Sequence, residues 1–148
     1  MMEFYKIMNN YRLEEIHGNG YERWAMITDI KSNIRMVDHF YEYDEYLDEG
    51  EITCKRKKGD IVKGCLKIDL VTRYKILEDV ESTFIQEIKE SSNITAVAKV
   101  KEIEDSDILI CNINNLGENI SVEFEDDIDI EVGKVIEVNG SLELNNIR

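Results

Sequence analysis

Gly59-Asp60-Ile61-Val62-Lys63-Gly64-Cys65-Leu66-Lys67-Ile68-Asp69-Leu70 is the stretch on which the reading of this 148-residue chain turns. Leu66, Ile68 and Leu70 fall on one side of an extended backbone, and Lys67 and Asp69 on the other. That period of two is the pattern of a half-buried antiparallel strand. The stretch has an echo: Gly133-Lys134-Val135-Ile136, a two-residue insertion, then Asn139-Gly140-Ser141-Leu142-Glu143-Leu144. Both copies run glycine, polar, two apolar residues, then glycine, a small residue, leucine, a charge and an apolar residue. Structural duplication explains the echo. Coincidence competes with it, because glycine–strand–glycine runs are common in all-β proteins.

Working outward, most of the chain keeps the same period. Tyr21 to Ile30 reads as a strand entered through Gly18-Asn19-Gly20, with Arg12 to Ile16 as its hairpin partner. Ile34 to Phe40 is another strand. Ile94 to Ile103, Asp107 to Ile113, Ile120 to Glu125, Lys134 to Val138 and Leu142 to Leu144 follow. Turn residues separate them at Glu104-Asp105-Ser106, Asn114 to Asn119 and Asn139-Gly140. One segment departs from the pattern. Between Asp79 and Glu90, Val80, Phe84, Ile85 and Ile88 recur at helical spacing, with Asp79 as a cap and Glu81 in the first turn. The expected fold is therefore all-β with one connecting helix. It has two small barrel-like or sandwich-like units, 1–77 and 93–148, joined by a helix over 78–92. A single continuous barrel is the alternative.

Composition limits the function. Thirty-two acidic residues against 18 Lys plus Arg give a formal net charge of −14. Such a field repels nucleic-acid backbones and anionic lipid, and favours basic partners or plain solubility. Cys54, Cys65 and Cys111 are an odd, widely spaced set with neither a disulfide nor a zinc pattern, as expected of reduced cytosolic thiols. The opening Met-Met-Glu-Phe-Tyr-Lys reads as no secretory signal, and no apolar run nears the ~18 residues of a membrane span. A cytoplasmic protein is expected. The chain contains no proline.

Four pieces of the second half carry a likeness: Ala96-Val97-Ala98-Lys99-Val100, Asp107 to Cys111, Ile120 to Phe124, and the run from Gly133 through Leu142. Together, over Ile94 to Leu144, they resemble the oligonucleotide/oligosaccharide-binding (OB) fold, a small five-stranded barrel. The resemblance is one of strand pattern and assigns no catalytic residue. It implies single-strand nucleic-acid binding, which needs a basic groove set with aromatic platforms. The second half supplies Phe124 as its one aromatic, and its strand faces are acidic. The first half holds Tyr21, Trp24, Phe40, Tyr41, Tyr43, Tyr46 and Tyr74 together with Lys55-Arg56-Lys57-Lys58. Yet Tyr41, Tyr43 and Tyr46 alternate with Glu42, Asp44, Glu45 and Asp48, which oppose phosphate. The basic run reads as a solvated hairpin tip before Gly59.

The most regular feature spans Val122 to Val132. Val122, Phe124, Ile128, Ile130 and Val132 alternate with Glu123, Glu125, Asp127, Asp129 and Glu131. Extended backbone would line these carboxylates along one side, with Asp126-Asp127 as a turn or bulge that divides them into two acidic patches. A solvated face, a patch for a basic partner and a calcium site compete here. The calcium loop fails, because Val132 and Val138 stand where it needs glycine and glutamate. His17 and His39 are the chain's two histidines. His39, beside Asp38, could be oriented by a carboxylate but reads as a surface residue. No phosphate loop, nucleophile elbow or metal spacing is present. The expectation is a non-enzymatic, cofactor-free, acidic interaction module for a basic protein, in the manner of an immunity protein, antitoxin-like inhibitor or adaptor. Glu123, Glu125, Asp127, Asp129, Glu131, Tyr41, Tyr43 and Tyr46 are its candidate contacts. A single-stranded nucleic-acid-binding protein is the alternative.

Overall fold

In the computed structural model, which describes residues 8–87 and 90–148, the chain is all-β. Among the described residues nine strands are present: β1 (Asn9–Asn19), β2 (Glu22–Asp29), β3 (Arg35–Tyr41), β4 (Ile61–Leu77), β5 (Thr83–Ile85), β6 (Asn93–Asp105), β7 (Ile108–Ile113), β8 (Gly117–Phe124) and β9 (Val135–Asn145). They form one sheet in the order β1-β2-β3-β9-β4-β8-β7-β6-β5, and additional β1–β4 and β9–β6 pairings close it on itself twice.

The first closure runs β1-β2-β3-β9-β4 and back to β1; the second runs β6-β7-β8-β4-β9 and back to β6. β4 and β9 belong to both. Each half of the chain thus lends one strand to the other's ring. Both rings contain a single parallel contact, His39 beside Glu143 in the first and β4 beside β8 in the second. The exchange is symmetric about the antiparallel pair Lys67–Glu143, with Leu66 opposite Leu144 and Ile68 opposite Leu142. In the sequence echo Leu66 corresponds to Leu142 and Ile68 to Leu144, so each pair maps onto the other. The repeated motif is the crossing point of the two rings.

The echoed glycines have a packing reason. A Cβ on Gly64 would lie 2.7 Å from Leu144 Cδ1, and one on Gly140 would lie 2.6 Å from the Asp69 carbonyl oxygen. Asn139-Gly140, expected as a turn, is instead continuous strand within β9. Opposite it, β4 bulges. Asp69 faces Ser141 and Arg73 faces Asn139, leaving Leu70 to Thr72 against Gly140 alone. Leu70 takes a left-handed φ of 58° and points to solvent, not to the apolar face its spacing predicts. An inserted bulge resets the alternation, and glycine opposite it admits the displaced backbone.

The connecting helix is not formed. Phe84 and Ile85 lie in β5, which pairs with Thr95–Val97 of β6, and Val80 precedes it in irregular backbone; Ile88 lies outside the described residues. A lone short helix is marginal in water. Here the backbone gains ladder hydrogen bonds along β6, and Phe84 packs against the core. Just beyond, the Gln86 side chain replaces a strand. Its Oε1 accepts from Val37 N (2.8 Å) and its Nε2 donates to Val37 O (2.6 Å), capping the edge of β3.

A cluster of buried side chains, including Tyr11, Ile27, Ile68, Val122 and Leu142, runs through both rings. It contains one anomaly. Asp38 alternates with Met36 and Phe40 on β3 and is fully buried, and neither of its carboxyl oxygens has a hydrogen-bond partner; the same holds for the Tyr11 hydroxyl. Burial pushes the Asp38 carboxyl up to about 8, with the Glu143 charge adding and its own backbone and His39 opposing. None of the described segments is a helix long and apolar enough to cross a membrane.

Candidate functional site

The first ring carries an outward row of rings built by strand register. His17 on β1 faces Trp24 on β2, Trp24 faces His39 on β3, and His39 faces Glu143 on β9. Directly opposed residues share a face, so the four side chains form one transverse row. His17 stacks on Trp24 at 5.5 Å, and Trp24 meets His39 at 5.2 Å. The ladder continues from His39 to Tyr41 (4.9 Å, edge-on) and from Tyr41 to Tyr43 (5.5 Å, stacked). Tyr21 then joins Tyr43 at 5.9 Å and Tyr46 at 5.1 Å. The tyrosine end is open to solvent, with exposures of 44% at Tyr21, 48% at Tyr41, 73% at Tyr43 and 60% at Tyr46. Four large rings in mutual contact and this exposed form a patch of the kind that marks interaction sites.

His39 anchors the base of the patch. It is buried, not on the surface as its sequence context predicts, and both ring nitrogens meet carboxylates: Nδ1 with Glu143 at 2.7 Å and Nε2 with Glu22 at 2.9 Å. A neutral imidazole has one N–H and cannot donate to two carboxylates, so the geometry calls for the imidazolium. Burial pulls the His39 pKa down, but the hydrogen bonds and charges of Glu143 and Glu22 outweigh it and the net direction is up. The second Glu143 oxygen accepts from Ser141 Oγ (2.7 Å), which contacts Ser92 Oγ (2.8 Å). Both nitrogens are occupied, so His39 has no free position from which to act as a general base.

The loop after β3 is held from beneath. Arg23, 1% exposed, donates to the carbonyls of Gly20, Glu22 and Glu45 and to the Glu45 carboxylate (3.2 Å). Glu45 also accepts from Thr53 Oγ1 and, at 2.9 Å, from Cys54 N. These bonds hold the Glu45 carboxyl below the ordinary range, the Thr53 bond first. Arg56 donates to Glu42 (2.9 Å), and Lys55 pairs with Asp44 (3.1 Å). Two of the four cations expected to form a solvated tip are therefore spent on the acids between the tyrosines. Glu42 and Glu45 turn inward to cations and hydroxyls, while Asp44 stays open to solvent beside Lys55 and the rings face out.

The acidic stripe is not a strand along its length. β8 ends at Phe124, and from Glu125 the backbone is irregular, crossing to Ser106 and Val100. Ile130 is buried in the core and Val132 is 58% exposed, so the period of two is broken. Glu123 is paired with Lys67 on β4, and Asp127 accepts from Ser106 Oγ (2.8 Å). Glu125, Asp129 and Glu131 are exposed without forming one face with Glu123. The inward side of the alternation is kept without strand pairing, Ile128 packing against the core and Ile130 buried in it, and it ends at the exposed Val132. Among the described residues, no group of three or more His, Cys, Asp or Glu side chains is placed to hold a metal ion. Cys54 is exposed, Cys65 and Cys111 are buried, and burial pushes the Cys111 thiol up to about 12.

Of the sequence-derived candidates, the structure brings Tyr41, Tyr43 and Tyr46 together through Tyr21, and places Glu123 on β8 and Glu125, Asp127, Asp129 and Glu131 on the irregular segment that follows it. Glu22, Trp24, His39, Arg23 and Glu143 belong to the same site but were not among the candidates. The sequence signal for them was register: once β1, β2 and β3 are aligned, His17, Trp24 and His39 fall in line. No protein-family model, curated protein or solved structure matches the chain.

Proposed function

We propose that the protein is a non-enzymatic interaction module that binds a basic protein partner through the tyrosine face of its first ring, as an inhibitor or adaptor of immunity-protein or antitoxin character. The observation that carries this reading is the exposed Tyr21–Tyr41–Tyr43–Tyr46 patch, beside a loop tied down by the bonds among Arg23, Glu45, Thr53 and Cys54. Tyrosine supplies large contact area at low conformational cost, and a loop ordered in advance loses little entropy on binding. Glu22, Glu143 and Asp69 border Tyr41 and, after burial, raise its hydroxyl pKa by their charge. With the net charge of −14, they give the face a negative potential that steers cations toward it. In this reading each ring is an OB-type barrel: five strands, antiparallel but for one parallel contact, form the partly open barrel of that fold.

The test is a low-salt pull-down from the native host with the wild-type chain and with a Tyr41→Ser/Tyr43→Ser/Tyr46→Ser variant. A basic protein retained by the first and lost from the second is expected. Retention by both, or by neither, removes the proposal.

The aromatic ladder also favours a second reading, single-strand nucleic-acid binding, because stacked rings are the platforms that bases use. Its acid border argues against it. Fluorescence anisotropy with short single-stranded DNA and RNA at ~50 mM salt, where phosphate contacts are strongest, decides between them.

A further inference from the structure

We infer that the tyrosine face recognises arginine side chains of its partner in preference to lysine, taking the guanidinium flat against Tyr43 with Glu22 as its carboxylate. The inference rests on the proposed basic-partner function and names the chemistry of that same site.

Three observations support it. The first is the geometry of the rings. Tyr41 and Tyr43 stack with an interplanar angle of 6°, and Tyr43 is the more exposed at 73%. Tyr41 stacks on Tyr43 and Tyr21 meets it at a tilt of 43° and 5.9 Å, yet Tyr43 keeps most of its surface open to solvent. A flat, delocalised cation stacks on such a ring more readily than a compact, strongly hydrated ammonium.

The second is the carboxylate. Glu22 faces Tyr41 across the β2–β3 pair and is 47% exposed in its side chain. Its Oε1 is engaged by His39 Nε2, and no hydrogen bond to Oε2 is formed among the described residues. His39 therefore holds the carboxylate through one oxygen, on a side chain that remains about half exposed. A guanidinium presents N–H groups around its edge while its face stays on the ring.

The third is a precedent inside the same molecule. Arg56 Nε donates to Glu42 at 2.9 Å, and its guanidinium carbon lies 5.5 Å over the Phe40 ring. One guanidinium is already recognised here by an aromatic face and a glutamate. Phe40 precedes Tyr41 and Glu42 follows it, so the pairing of ring and carboxylate is repeated on the outer face, where the cation has to come from outside.

The experiment is a titration of the isotope-labelled full chain with two octapeptides at low salt, one alternating glycine and arginine, the other glycine and lysine, followed by amide chemical shifts. The arginine peptide is expected to bind roughly threefold or more tightly than the lysine peptide, with shifts centred on residues 21–22 and 41–46. Tyr43→Leu is expected to reduce the two to parity while leaving a charge-driven residue of binding. Glu22→Gln is expected to weaken the arginine peptide more than the lysine peptide. Tyr43 and Glu22 are exposed, and unchanged shifts elsewhere confirm that each variant is folded. Equal binding of the two peptides at this face overturns the arginine inference and leaves the basic-partner reading standing. A preference that survives Tyr43→Leu, or shifts centred on Glu125 to Glu131, also overturns it. No binding of either peptide removes both.

Discussion

Asp38 makes the stability of this protein fall with rising pH. The carboxyl is fully buried inside the first ring with both oxygens unpartnered, and its pKa stands near 8 against an ordinary 3.8. Below pH ~4 the group is protonated whether the chain is folded or not, and it contributes nothing to the pH dependence. Between ~4 and ~8 only the folded state holds the proton, so each pH unit removes ~1.4 kcal/mol of stability. Over the roughly four units of the interval the loss sums to ~6 kcal/mol, comparable with the whole stability of a small domain. Above ~8 both states are ionised and the full loss is in place. Asp38→Asn keeps the shape and removes the titration. The buried amide is no better paired than the neutral acid, so the variant should match the wild type below pH ~4 and exceed it by a margin that grows from there to pH ~8 and then levels off. Urea unfolding followed by Trp24 fluorescence at pH 5, 7 and 8.5 measures this directly. His39 leaves a residual slope of the same sign in the variant. Its pKa is raised on folding, so its contribution is present below the unfolded value and is lost as pH passes the folded one. Parallel pH profiles for wild type and Asp38→Asn would refute a buried neutral carboxyl.

Three further outcomes follow from the geometry. Arg23→Ala leaves Glu45 facing the space of a lost buried cation and should cost about 3 kcal/mol, with faster hydrogen exchange across residues 42–53 as the diagnostic. Gly140→Ala drives a methyl group to within 2.6 Å of the Asp69 carbonyl and should cost ~1–3 kcal/mol, read as a lower denaturation midpoint. Because β4 and β9 serve both rings, the rings should unfold together: Trp24 fluorescence in the first ring and thiol labelling of buried Cys111 in the second, mapped by mass spectrometry, should report one urea midpoint.

Much of the architecture was legible in the alternation of apolar and polar residues. β2, β3, β6, β7 and β8 lie within a few residues of the expected strands, because strands with one buried face carry their burial in their spacing; β4 runs on to Leu77 beyond the expected Leu70, and β9 joins what reads as two strands. Three features were not legible. The bulge at Leu70 and the continuity through Asn139-Gly140 are two sides of one contact between strands distant in sequence, and local turn chemistry cannot register it. The segment 79–90 has helical spacing but lies beside an open strand edge on β6. Ladder bonds, available only after the rest has folded, decide its conformation. The acidic run from Val122 to Val132 has the cleanest alternation in the chain, yet strand pairing stops at Phe124 and the alternation itself at the exposed Val132.

The site divides along the same line. Tyr41, Tyr43 and Tyr46 were visible because exposed aromatics beside charges are unusual. Of their acidic neighbours, Glu42 and Glu45 face cations of the same molecule, while Asp44 pairs with Lys55 and stays open to solvent. Glu22, Glu143 and Asp69, whose charges act on Tyr41, belong to β2, β9 and β4, and Glu143 reaches the patch through the β3–β9 contact. That contact exists because β9 is exchanged between the rings. The shared strand β9 is therefore also what delivers Glu143 to His39 and completes the face: a first half folding without β9 would present the tyrosines without the carboxylate that fixes the histidine beneath them.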